Sequence, residues 1–119
     1  MSVLTEARKL IADPEHWLQG RYAETAGHLP VAPKDPKAVR FCSIGAVVHL
    51  LPPDALPEAE VRQLSAAVHE LEPDWFSGFV KKDLCAARSD RCIAQYNDSH
   101  THEEVLAVWD HAIAEEATP

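Results

Sequence analysis

The chain has no apolar run approaching the roughly 20 residues that a membrane-spanning helix needs. It has no basic stripe either. Arg8-Lys9 and Lys81-Lys82 are its only adjacent basic pairs, and 11 basic against 19 acidic residues leave a formal charge of -8. Phosphate neutralisation supplies most of the affinity of nucleic-acid binders, so direct binding to DNA, RNA or an anionic membrane is not expected. There are only three cysteines, Cys42, Cys85 and Cys92. An odd count, in a chain of 119 residues that can bury a core without staples, argues against a disulfide framework. The first residues, Met1-Ser2-Val3-Leu4-Thr5-Glu6, reach an acidic group too soon for a signal peptide. These absences point to a reducing cytoplasm. No G-x-S-x-G, H-E-x-x-H, P-loop or dinucleotide fingerprint occurs, so no cofactor is expected. No internal repeat, low-complexity tract or linker divides the chain, which reads as one domain over residues 1–119.

What is present is helical periodicity with readable start signals. Val3, Leu4, Ala7, Leu10 and Ile11 form one apolar stripe, predicting a helix over residues 3–12. Asp13-Pro14 stops it and can cap a short new turn carrying Trp17 and Leu18 toward Gly20. Residues 20–35 read as an irregular connection. Tyr22 and Ala23 before Gly27, with Leu29 and Val31 after it, suggest a small β-hairpin near residues 20–33. Asp35-Pro36 repeats the cap signal ahead of a stretch that is apolar nearly all round, predicting a central helix over about residues 36–51. Gly45 costs that helix about 1 kcal/mol relative to alanine, which close approach of a neighbouring backbone or ring would offset. Pro57 opens the next helix, with Glu58 and Glu60 near its positive end and Val61, Leu64, Val68 and Leu71 on its inner face. Glu72-Pro73 ends it. An aromatic segment follows, with Trp75, Phe76 and Phe79 around Gly78, then short helices over residues 83–88 and 90–96. Thr101 and Glu104 match a capping box for the last helix, whose buried stripe is Val105, Leu106, Trp109, Ala112 and Ile113. The expected fold is mainly α: a bundle of four to six helices around the central apolar helix.

Four groups of residues bear chemistry. Cys85, Cys92, His100 and His102 are all zinc-ligand types, but C-x6-C-x7-H-x-H lacks the short knuckle spacing of structural zinc sites. The plainer reading is two buried thiols and two solvated imidazoles, and no metal is assigned. Cys42, near a helix start, has the dipole that lowers a thiol pKa, yet Phe41, Ile44 and Ala46 surround it as they would a core cysteine. Tyr96-Asn97-Asp98 offers polar groups to a ligand, or an Asx-turn leading into the last helix. The Trp75, Phe76 and Phe79 cluster caps the core or forms an aromatic patch for a partner.

Taken in order, Trp17-Leu18-Gln19-Gly20, Ala38-Val39-Arg40-Phe41-Cys42-Ser43-Ile44-Gly45-Ala46, Tyr96-Asn97-Asp98 and Glu104-Val105-Leu106 resemble an uncharacterised family of small bacterial and phage proteins, domain of unknown function 6197. Members often carry tryptophan where this chain has Tyr96, and residues 73–85 have no counterpart in that pattern. The resemblance brings no reaction with it. It implies that Trp17, Gly20, Cys42, Gly45, Asn97 and Asp98 belong to one shared construction, with Trp17, Cys42, Asn97 and Asp98 as a candidate pocket. The leading expectation is a non-enzymatic interaction or regulatory protein that meets another protein through an acidic surface. The alternatives are a small enzyme or ligand-binding domain using Cys42 with Asn97 and Asp98, and a zinc-supported domain using Cys85, Cys92, His100 and His102.

Overall fold

The computed structural model describes residues 2–82 and 90–117. The helix expected over residues 83–88, and Cys85 with it, lies outside the described residues. The chain falls into two compact units, residues 1–57 and 58–119. Six α-helices and one two-stranded antiparallel sheet make up the described residues, so the fold is mainly α, as the periodicity indicated.

The first unit begins with α1 (Val3–Ile11). Ser2 caps it by accepting from the Thr5 amide, and Leu4, Ala7 and Ile11 are its buried stripe. Asp13 then caps a single 3-10 turn, Pro14–His16, accepting from the Glu15 amide at 2.8 Å. Strands β1 (Ala23–Glu24) and β2 (Arg40–Phe41) pair antiparallel, with Ala23 opposite Phe41 and Glu24 opposite Arg40. Phe41 is gripped from its other side too. Trp17 bridges to it, and the Leu18 amide donates to its carbonyl at 3.1 Å. The loop after β1 does fold back, since the Val31 amide donates to the Ala23 carbonyl and the Thr25 amide to the Leu29 carbonyl. The far side of that loop thus pairs with β1 through an antiparallel bridge between Glu24 and Pro30, and residues 40–41 add the longer pairing.

Helix α2 (Ser43–Leu50) is shorter than the 36–51 stretch expected. Asp35-Pro36 is a real cap, but of one turn only: the Lys37 amide donates to the Asp35 side chain and the Ala38 amide to the Asp35 carbonyl. Residues 39–41 then spend their backbone groups on Glu24 and Ala23, which removes them from any helix. Ser43 to Val47 of α2 are all buried, and α2 packs on α1 and β2. Gly45 explains how it fits. A Cβ at this position would lie 1.8 Å from the Tyr22 carbonyl oxygen, so only glycine lets that backbone rest on the first turn of the helix.

The second unit is organised on α3 (Glu58–Leu71), which packs against α4 (Pro73–Lys82), α5 (Asp90–Ser99) and α6 (His102–Ala117). Val61, Leu64, Ser65, Ala67 and Val68 are its buried face. The aromatic segment is itself helix α4, because Pro73 at the helix start needs no backbone partner for its nitrogen. Trp75 stacks on Phe79, and Phe76 stacks on His69. The Thr101–Glu104 capping box is made in both directions, at 2.9 and 3.2 Å. No helix among the described residues is long and apolar enough to cross a membrane.

Candidate functional site

The four residues of the expected pocket fall two in each unit. In the first, Trp17 is half-buried at the end of the 3-10 turn, and Cys42 is buried at the N-cap of α2. Its sulfur accepts the Gly45 amide at 3.4 Å, so the thiol is held in the first turn of the helix. Sequence reasoning placed Cys42 inside the helix; the β2 pairing of Phe41 moves it to the cap. In the second unit, Asn97 is fully buried and Asp98 is exposed, both in the last turn of α5. The Asn97 amide donates to the Asp98 carboxylate at 3.3 Å. The segment is not an Asx-turn, because α5 continues to Ser99.

Cys92 is also buried, on α5, and burial pushes its thiol up to about 11, with the Ser65 hydroxyl offsetting part of that shift. A thiol so shifted is a poor nucleophile near neutral pH.

Two ensembles in the second unit were not read from the sequence as sites. The first is a shallow groove of about 210 Å³ between α3 and α6. Gln63, Ala66, Ala67 and Glu70 of α3 line it at positions i, i+3, i+4 and i+7, with Ala112, Glu115 and Glu116 of α6 opposite. Ala67 and Ala112 are buried and form the floor, and the exposed Glu70, Glu115 and Glu116 form the rim. The Gln63 amide donates to Glu116 across the helices at 3.3 Å. The His111 imidazole contacts Glu70 and lies 3.7 Å from Glu115. The signal for this groove was available as a small-residue and glutamate stripe on α3, beside the Val61-Leu64-Val68 stripe that fixes its inner face. Alanine carries no chemistry of its own, so that stripe does not mark a site in the sequence.

The second ensemble lies where the α3–α4 and α5–α6 junctions meet. Glu72, between α3 and α4, accepts the Tyr96 hydroxyl on one carboxylate oxygen. Its other oxygen lies 3.2 Å from His100 Nε2. The His100 ring stacks on Tyr96 with centroids 3.7 Å apart, and Trp75 sets its edge against both rings. Glu104 completes the group: ligand atoms of Glu72, His100 and Glu104 lie within 4.8 Å of one another. Burial pushes the Tyr96 phenol far above its ordinary value, reinforced by its bond to Glu72 and by the charges of Glu72 and Glu104. Glu104 is held below the ordinary carboxylate range, first by the Thr101 amide, then by the Thr101 hydroxyl and the nearby His100. Of the zinc-ligand types read from the sequence, His100 faces two glutamates here, whereas Cys92 and His102 are not part of this group.

The fold and these ensembles define a small, mainly helical protein whose second unit carries clustered glutamates on helix faces. The model of a family of unknown function (DUF6197) matches residues 1–115, and the chain belongs to that family. No curated protein and no solved structure matches the chain.

Proposed function

We propose that this protein is an interaction module that seats a basic segment of a partner protein in the α3–α6 groove. The groove carries this reading. Its volume of about 210 Å³ is below the 300–1,000 Å³ typical of small-molecule sites, and suits one or two side chains rather than a cofactor. Its alanine floor accepts the alkyl stem of lysine or arginine, and its glutamate rim meets the charged head. The formal charge of -8 adds long-range attraction for a basic partner, raising the encounter rate at low salt.

The buried cysteines do not favour the enzymatic alternative. Cys42 serves as a helix cap and the Cys92 thiol is shifted upward by burial. An interaction role needs no reactive thiol.

The test is calorimetric titration with two short peptides, one carrying a pair of lysines and one carrying norleucine in their place. Binding of the lysine peptide, weakened by added salt and by Glu70→Gln with Glu115→Gln, supports the reading. Ala66→Leu fills the groove without altering charge and abolishes binding on this account. Equal binding of both peptides, or binding indifferent to Ala66→Leu, contradicts it.

A further inference from the structure

The Glu72–His100–Glu104 group differs from an ordinary surface ion pair in how its imidazole is held. The His100 side chain is 8% exposed, against 29% for His111 in the Glu70–His111–Glu115 group. The orientation of its ring follows from its neighbours. The Ser99 hydroxyl donates its single proton to the Gln95 carbonyl at 2.7 Å. His100 Nδ1, 3.0 Å from the Tyr96 carbonyl and 2.9 Å from the Ser99 oxygen, is therefore a donor. The other nitrogen, Nε2, then faces the Glu72 carboxylate at 3.2 Å.

The surroundings match the outer shell of a metal site. Metal-ligating histidines usually donate their other ring N–H to a backbone carbonyl or a carboxylate, and ligating carboxylates are themselves hydrogen-bonded. Here Nδ1 is set against the Tyr96 carbonyl, the ring is clamped by stacking on Tyr96, and the Tyr96 hydroxyl holds the far oxygen of Glu72. Two carboxylates against one imidazole leave negative charge for a divalent ion to neutralise.

We propose that Glu72, His100 and Glu104 bind a divalent transition-metal ion of the zinc type, with solvent completing its coordination. Zinc takes imidazole and carboxylate ligands at about 2.0–2.2 Å, and three protein ligands plus water is a familiar set. Ligand atoms within 4.8 Å of one another reach that arrangement by small rotations of the two glutamate side chains. The ion ties the α3–α4 junction to the α5–α6 junction and so staples the second unit. This site is independent of the α3–α6 groove, and its failure would leave the peptide reading untouched.

The experiment uses chelator-stripped full-length protein titrated with zinc alone. Calorimetry and thermal melting are the readouts, and the indole N–H resonance of Trp75 reports the site locally because the ring lies 5.4 Å from His100. The expected result is one equivalent bound, a raised melting temperature, a Trp75 signal change and proton release that weakens binding in acid. His100→Ala lowers affinity by about tenfold or more. Glu104→Gln does the same while keeping the capping box, which accepts Gln, so it separates metal binding from folding. His111→Ala leaves the Trp75 response unchanged. Absence of binding overturns the proposal, as does zinc affinity indifferent to both His100→Ala and Glu104→Gln, or lost in His111→Ala.

Discussion

The two units each gather glutamate with histidine, but to opposite effect. In the first, the single carboxylate of Glu24 is nearly buried between the guanidiniums of Arg40 at 3.3 Å and Arg21 at 3.5 Å, with the His28 imidazole at 3.1 Å. The guanidiniums also tie down backbone, Arg40 on the Thr25 and Glu15 carbonyls and Arg21 on the His28 carbonyl. The charge is satisfied internally and its product is a fixed loop. In the second unit, two of the imidazoles each face two glutamates, in Glu72–His100–Glu104 and Glu70–His111–Glu115. There the acidic groups outnumber their partners and lie at or near the surface. The same residue types thus build a structural clamp when guanidiniums are in excess, and a carboxylate-rich face when glutamates are.

This contrast can be broken by substitution. The largest effect is expected in the first unit, where backbone rests on backbone. Gly45→Ala drives a methyl group into the Tyr22 carbonyl, and costs about 3 kcal/mol or more, read as a lowered denaturation midpoint. Glu24→Gln should follow, at about 2 kcal/mol, because Arg40 loses a part-buried anionic partner, while exposure of Arg21 reduces its share. Glu70→Gln in the second unit is predicted to change stability by less than about 0.5 kcal/mol, since its carboxylate is more than half exposed. Equal costs for Glu24→Gln and Glu70→Gln in urea unfolding would erase the distinction.

Smaller effects sharpen the picture of the second unit. Thr101→Ala removes one half of the capping box at the start of α6 and costs about 1 kcal/mol. The pH dependence has two limbs. Glu104 is depressed in the folded state, so its contribution is complete above the unfolded carboxylate range, about pH 4.3, and is lost as pH falls through its folded value. Cys92 and Tyr96 are raised, so their contributions hold at neutral pH. That of Cys92 declines as pH climbs from its ordinary value of 9.0 to about 11. Cys92→Ala should flatten the alkaline limb of a melting-temperature profile, and Glu104→Gln the acid limb.

Much of the helical frame was legible because caps are local. Asp before a helical turn, Pro at its first position and the Thr101–Glu104 pair each act within four residues, and each is made in the fold. The backbone approach expected at Gly45 is made by Tyr22. What sequence could not resolve was non-local. Asp35-Pro36 carries the same signal as Asp13-Pro14, but whether a helix continues past its first turn depends on strand pairing with Ala23 and Glu24, more than a dozen residues away. The helical end of α5 hid likewise, because the Asn97 side chain donates to Asp98 within a helix that continues to Ser99. The groove joins residues from two helices, and the His100 group joins α4, α5 and α6 with the junctions beside them. Glu72 read only as a helix stop and Ala112 only as part of a buried stripe, while Ala66 carried no signal.

The most direct test of the central claim is an amide chemical-shift titration of the full chain with the lysine peptide. Shifts concentrated at Gln63, Ala66, Ala67, Glu70, Ala112, Glu115 and Glu116, with residues around Glu24 unmoved, are what the account predicts. Shifts centred on the first unit, or none at all, would contradict it.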